Sequence, residues 1–172
     1  TNKCAYIGNR GEAGYSTSDC HVAAEGAAGL DTSHYGGDND ADSSGRLEYV
    51  VVKHTGAQVA NGDELNGISF GGVGSNTIVE NLQVYSTYDD GIEMFGGSVN
   101  FTNFVGVYVR DDSIDIDEGY NGTISNALVI QSATDGNHCI ESDGLGSFSS
   151  LTDAEVEAKI TQGINSAPRI TN

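Results

Sequence analysis

The sequence predicts an all-β fold, a right-handed parallel β-helix wound in coils of about 22 residues. Three observations predict it. Asp89-Asp90-Gly91-Ile92-Glu93 returns 22 residues later as Asp111-Asp112-Ser113-Ile114-Asp115, and Asp135 to Glu141 forms a looser third copy. A second marker keeps the same beat: Val79-Glu80-Asn81, Phe101-Thr102-Asn103 and Ile124-Ser125-Asn126 are spaced by 22 and 23 residues. Repeats at a fixed spacing in this range indicate a solenoid or array. Finally, the apolar runs Val50-Val51-Val52, Leu82 to Tyr85, Phe104 to Val109 and Leu128 to Ile130 are short, β-branched and separated by Gly, Asn and Asp. They read as strands between tight corners, and no 3.6-residue periodicity competes with them. Stacked coils place corresponding residues about 4.8 Å apart.

Composition bounds the function. The chain has 172 residues, enough for one domain with a core. Seven Lys and Arg against 25 Asp and Glu leave a formal charge of −18. That argues against nucleic acid and anionic membrane surfaces, both of which recruit basic patches, and it favours divalent cations. No apolar run reaches the roughly 18 residues of a membrane span. Thr1 reads as a mature or trimmed start. One Pro, no Trp and 24 Gly suit a solenoid with glycine corners.

Residues 1–45 form a Gly-, Ser- and Asp-rich segment, expected as an irregular cap; residues 46–172 are expected to form the β-helix. Cys4 and Cys20 flank a loop with no other scaffold, and a disulfide between them is expected. Closing that loop contributes about 3 kcal/mol in the chain-entropy picture and implies an oxidising, extracellular setting. Cys139 is then left over, expected as a buried core thiol, with pairing to another chain or to sequence beyond these residues as the alternative. Asp38-Asn39-Asp40-Ala41-Asp42 alternates its carboxylates like the start of a calcium loop, with Asp38, Asp40 and Asp42 as candidate ligands. The rest of an EF-hand is missing, since Ser43 and Tyr49 stand where Gly and Glu belong, and a solvated acidic turn is the other reading.

Leu47 to Thr55 is the first strand. Asn61 to Gly74 reads as a long corner, and about ten inserted residues fall most simply at Ala57 to Glu64. A phosphate loop at Gly71, Gly72 and Gly74 is excluded, because a strand rather than a helix follows. In the next two coils, superposition sets Asp90 over Asp112 and Glu93 over Asp115, with Asp89 and Asp111 alongside. Like charges stacked this closely repel. Raised pKa values, solvation at an outward corner, or bound Ca²⁺ relieve the repulsion, so Asp89, Asp90, Glu93, Asp111, Asp112 and Asp115 are the candidate metal ligands. Asn81, Asn103 and Asn126 are expected to form a structural amide ladder. The four histidines lack metal-ligand spacing. Thr152-Asp153-Ala154-Glu155 is a capping box that opens a short helix at about 152–163. With Val156 and Ile160 on one face, that helix is expected to pack on the flank, cover an open end or bind a partner. Ile170-Thr171-Asn172 repeats the coil-start marker, which suggests either missing sequence or end-to-end stacking of identical subunits into filaments.

Asp63-Glu64-Leu65-Asn66-Gly67-Ile68 with Gly71-Gly72-Val73-Gly74, the two Asp-Asp motifs with Met94-Phe95-Gly96-Gly97, and Tyr35-Gly36-Gly37-Asp38-Asn39-Asp40 ahead of Gly45-Arg46-Leu47 carry a resemblance. They resemble secreted bacterial right-handed parallel β-helix repeat proteins of pectin-lyase-like type, over roughly residues 35–172. The resemblance implies fold and export and supplies no catalytic residue. The same fold hosts polysaccharide lyases, for which Arg110 is the weak candidate base; its other reading is a salt-bridge partner of the adjacent carboxylates. The expected function is therefore an extracellular structural or adhesive β-helix, stabilised by calcium, with itself or extracellular polysaccharide as partner. A lyase or hydrolase of acidic glycans is the alternative. Passive carbohydrate binding, through stacking on Tyr85, Tyr88, Tyr108 and Tyr120, is a third reading.

Overall fold

A computed structural model of the chain describes residues 21–23, 34–37, 39–60, 63–144 and 151–172. Its elements in chain order are β1 (His21–Ala23), β2 (His34–Gly36), β3 (Arg46–Lys53), β4 (Gln58–Ala60), β5 (Asp63–Glu64), β6 (Ile68–Gly71), β7 (Ile78–Tyr85), β8 (Ile92–Phe95), β9 (Asn100–Val107), β10 (Ile114–Asp117), β11 (Thr123–Ile130), β12 (Glu141–Ser142), α1 (Asp153–Thr161) and β13 (Arg169–Thr171).

While β1 with β2 and β4 with β5 form two-stranded antiparallel pairs, the two large sheets are parallel and stack coil on coil. One runs β13-β11-β9-β7-β3 and the other β12-β10-β8-β6. Four successive coils each contribute one eight-residue strand to the first sheet and one short strand to the second, and the three-residue β13 extends the first sheet. The register follows the repeat: Val79 pairs with Phe101, Phe101 with Ile124, and Ile124 with Ile170. Each long strand bends where one residue enters the left-handed region, at Tyr49, Asn81, Asn103 and Asn126, with φ between 55° and 59°. Asn tolerates this conformation because its short side chain hydrogen-bonds locally. The amides also bond to one another along the axis, Asn103 Nδ2 donating to Asn81 Oδ1 at 2.8 Å and Asn126 Nδ2 to Asn103 Oδ1 at 3.1 Å. The ladder expected from the sequence is present.

Alternation fills the core. Val79, Leu82, Val84, Ile92, Met94, Val99, Phe101, Phe104, Ile114, Ile116 and Ile124 are buried in one cluster. Phe70 meets Phe101 edge-on at 4.9 Å between centroids. Each large side chain in that stack contributes about 1.5–3 kcal/mol of burial. Gly91 has no room for a side chain, since a Cβ there would lie 2.5 Å from the carbonyl oxygen of Ser113 in the next coil.

Several expectations need correction. The long corner at 61–74 contains a strand, β6, which takes Ile68 into register with Ile92; the inserted residues form an antiparallel hairpin, β4 with β5. The helix begins after Thr152 as its box predicts, with the Glu155 carboxylate accepting from the Thr152 N–H at 2.8 Å. None of its residues is buried, however, and Ile160 is 53% exposed, so it does not pack on the flank. Tyr120 is no stacking platform: it is fully buried and its hydroxyl donates to Val99 O at 2.8 Å. Cys139 is not a core thiol. It is exposed, standing one coil beyond the buried Ser113 with its outer side uncovered. The Cys4–Cys20 pair lies outside the described residues.

The left-handed column yields a direct test. Asn103→Ala should cost about 2 kcal/mol, from backbone strain plus the lost ladder bonds. Asn103→Gly should cost about half of that, because Gly keeps the conformation and loses only the ladder. Urea unfolding of both variants measures the difference, and equal losses would refute the strain.

Candidate functional site

The acidic residues gather on the outer side of the four-stranded sheet. In β8, Ile92 and Met94 point into the core, so Glu93 between them points out. The register then sets Ser69, Glu93, Asp115 and Glu141 in one column. The corner before each strand supplies a second column. Gly67 N–H bonds to Asp90 O, Gly91 N–H to Asp112 O and Ser113 N–H to His138 O, which aligns Asn66, Asp90, Asp112 and His138. The expected superpositions of Asp90 on Asp112 and of Glu93 on Asp115 are therefore in place.

The corner carboxylates accept from the coil above them. Asp90 Oδ1 takes the Asp112 N–H at 3.0 Å, and Asp112 Oδ1 takes both the N–H of His138 and its Nδ1, the latter at 3.0 Å. Asn66 Nδ2 donates to Glu93 Oε2 and, at 3.2 Å, to Ser69 Oγ. Burial is deep for these groups: Asp112 is 2% exposed, Glu93 4%, and Asn66 and Asp90 8% each. The N-terminal segment adds a roof. The Tyr35 ring lies 5.9 Å from that of Phe95 and packs on Gly71, where a Cβ would come within 2.8 Å of the ring. Two oxygens enclosed here, Asn66 Oδ1 and Tyr35 Oη, have no hydrogen-bond partner.

Burial dominates the electrostatics. It pushes the Asp90 carboxyl up to about 9, with the charges of Asp115, Asp89 and Asp112 adding to it against the Asp112 N–H. Burial and then Asp117 raise Asp115 to about 6. Glu141 rises to about 7, first through its side-chain hydrogen bond with Asp112 and then through burial. Burial, followed by the charges of Glu118, Asp117 and Glu93, raises Tyr35 above the usual phenol range.

Three groups bring ligand atoms within 4.8 Å of one another: Asp89, Asp90 and Asp111; Asp90, Glu93 and Asp115; and Asp112, His138 and Glu141. Five of the six carboxylates expected in the coils fall in two groups that share Asp90, whereas Asp112 groups with His138 and Glu141 instead. Asp40 and Asp42 are exposed and stand apart from these groups, while Asp38 lies outside the described residues. The backbone of that acidic stretch is engaged as a tether: Asp40 O accepts from Ser75 N–H and Ser98 Oγ, Ala41 O from Asn76 Nδ2, and Asp42 O from Asn76 N–H. The Arg110 guanidinium lies 4.7 Å over the ring of Tyr88. Sequence reasoning missed Asn66, His138, Glu141 and Tyr35 as members of the site. Asn66-Gly67-Ile68-Ser69 was a legible signal, since it matches Asp90-Gly91-Ile92-Glu93 with the acids replaced.

A separate groove of about 260 Å³ follows the bend of the five-stranded sheet on its outer side, lined by Tyr49, Val51, Asn81, Leu82, Gln83, Asn103 and Val105. Tyr49 is 82% exposed there.

Among known proteins, the family profile described as "Pectate-lyase like beta helix domain" matches residues 11–172. No curated protein and no solved structure matches the chain.

The raised carboxyls fix the sign of the pH response. Below about pH 4 the folded and unfolded chains hold these protons alike; above it, only the folded chain keeps them. Stability should therefore fall as pH rises from about 4, through the folded values near 6 and 9 of Asp115 and Asp90, by up to about 1.4 kcal/mol per pH unit for each proton held, with the solvent-screened Glu141 adding less. Thermal melts in a chelator should show the melting temperature falling from pH 5 to 9, and Asp90→Asn should flatten that fall. A melting temperature that rises with pH would contradict the assignment.

Proposed function

The chain belongs to the pectate-lyase-like β-helix domain family, and from that premise we propose that it works outside the cell as a structural and adhesive surface protein rather than as a catalyst. Family membership fits a carbohydrate-related or surface protein. The observation that carries the finer reading is the burial of Asp90, Glu93 and Asp112, none more than 8% exposed. A glycosidase acid and base must both reach the scissile bond from opposite sides. These carboxylates instead accept from neighbouring coils, beneath a sheet edge roofed by Tyr35. Arg110, the weak candidate for a lyase base, is exposed and engaged with Tyr88.

The groove at Tyr49 suits adhesion. It presents one open aromatic face beside a ladder of amides and exposed Val51, a pattern that offers a sugar both an apolar contact and hydrogen bonds. A charge of −18 repels anionic polymers, so the favoured partner is a neutral extracellular polysaccharide. Stacking of one copy on another belongs to the same reading, supported by β3 as the outermost strand of its sheet.

One observation favours a second reading, hydrolysis of acidic glycans. Glu141 and Asp112 share a hydrogen bond that leaves Glu141 titrating near 7, and His138 beside them is half exposed. A carboxyl pushed up toward neutrality can serve as a general acid.

Affinity chromatography on immobilised neutral polysaccharides, together with a turnover assay on a panel of uronate polymers, separates the two. Adhesion predicts retention that Tyr49→Ala lowers severalfold, and no released sugar. Turnover abolished by Glu141→Gln would replace it with the hydrolase reading. Electron microscopy of the same material reads any end-to-end assembly.

A further inference from the structure

We infer that Asn66, Asp90, Glu93 and Asp115 form one buried divalent-cation site, selective for calcium, that ties three successive coils together. The inference goes beyond the adhesive reading and holds whether or not the protein binds a glycan.

The donors come from different turns of the solenoid. Asn66 precedes β6, Asp90 and Glu93 flank the start of β8, and Asp115 lies in β10. The carboxylates of Asp90, Glu93 and Asp115 bring oxygens within 4.8 Å of one another. Acidic residues often cluster without a ligand, so the proximity alone decides nothing. The independent observation is Asn66. Its side chain is 8% exposed, its Nδ2 touches Glu93, and its Oδ1, on the same planar amide, is buried with no partner. A buried carbonyl oxygen without a partner is costly, commonly about 1–3 kcal/mol, and the other end of the same amide touches one carboxylate of a group whose stacked negative charges repel. One cation satisfies both.

The chemistry of the donors selects the ion. All four are oxygen donors, which suits hard cations and disfavours the softer transition metals. Neighbouring strands stand about 4.8 Å apart, so carboxylates from adjacent coils approach an ion between them from opposite sides. Calcium, with oxygens at about 2.3–2.6 Å and a tolerant geometry of six to eight ligands, spans that gap; magnesium, held to an octahedron at about 2.0–2.1 Å, does not span it without drawing the coils together. The other two groups lack this support. Asp89 and Asp111 are less buried than Glu93, and in the third group Asp112 is already bonded to His138 and Glu141.

The test uses the whole chain, stripped with a chelator and titrated with CaCl2 or MgCl2 to about 10 mM, above the range usual for extracellular calcium modules. Calorimetry should give one calcium per chain. The melting temperature should rise by about 5–10 °C at a hundredfold excess over Kd, and magnesium should give a much smaller shift. Glu93→Gln and Asn66→Ala should each weaken calcium binding at least tenfold, the second without touching any charge. Asp115→Asn should melt no lower than the parent in chelator yet lose the calcium shift, a split that a purely packing role would not produce. Asp42→Asn should change nothing, which separates this site from the acidic stretch at 40–42. An unchanged melting temperature in calcium, or calcium binding indifferent to both Asn66→Ala and Glu93→Gln, would overturn the inference.

Discussion

In-register parallel stacking is the constraint from which the rest of this structure follows. When coil lies on coil, each residue meets its own counterpart about 4.8 Å away. Apolar positions profit from this rule without limit: Val79, Phe101 and Ile124 form a continuous interior column, as do Ile92 and Ile114. Amides profit too, because one side donates and the other accepts, and the exposed Asn81–Asn103–Asn126 ladder runs in a single direction along the axis. Carboxylates are the one class that suffers. Their stacking is the feature that a repeat can neither avoid nor leave uncompensated, and so it marks the chemistry of the molecule.

The bend in each long strand shows how the same rule shapes the surface. A left-handed residue at one position per coil turns the strand and opens a groove along the outer side of the sheet. Asn fills that position three times; in the first coil Tyr49 takes it, with φ 55°. A tyrosine gains nothing from the ladder and accepts the strained conformation without the local hydrogen bonds that make Asn tolerable there. Its ring is 82% exposed over the groove. A residue that breaks a repeat at a strained, exposed position is a better marker of interaction than one that obeys it.

The legible part of the fold was the part that repeats. The beat of the Asp-Asp motif and of the Asn marker carries coil length, register and core, and it alone superposes Asp90 on Asp112. What escaped was whatever changed residue type or interval. Asn66 and Ser69 hold the column positions of Asp90 and Glu93 in the first coil, but the acids are gone, and only the shared Gly-Ile pair at 67–68 marks the motif as a copy. His138 follows Asp112 by 26 residues rather than 22, because its corner is longer, so a spacing rule for histidine ligands could not find it. Tyr35 reaches the acidic face from a segment outside the repeat. Tyr120 and Cys139 were misplaced for the same reason: alternation tells which way a strand residue points, whereas both lie in corners, where burial depends on what the neighbouring coil brings.

The corners also explain why carboxylates occupy the columns at all. A solenoid corner leaves backbone N–H groups facing the next coil without a strand partner, and a buried N–H needs an acceptor. Asp90 supplies one to Asp112 and Asp112 supplies one to His138, so the acidic residue caps the corner one coil along. A neutral acceptor would serve the same N–H without repulsion, and Asn66 is such a residue in the first coil. There, however, its oxygen is left without a donor while its nitrogen is drawn to Glu93. Neutral acceptors thus relieve the charge but leave an oxygen stranded, and charged acceptors satisfy the backbone but repel each other. A column that sets one neutral amide beside stacked acids is where the inferred cation answers both needs. On this reading the acidic groups belong to the architecture of the solenoid, and the proposed adhesive contact falls to the separate groove at Tyr49.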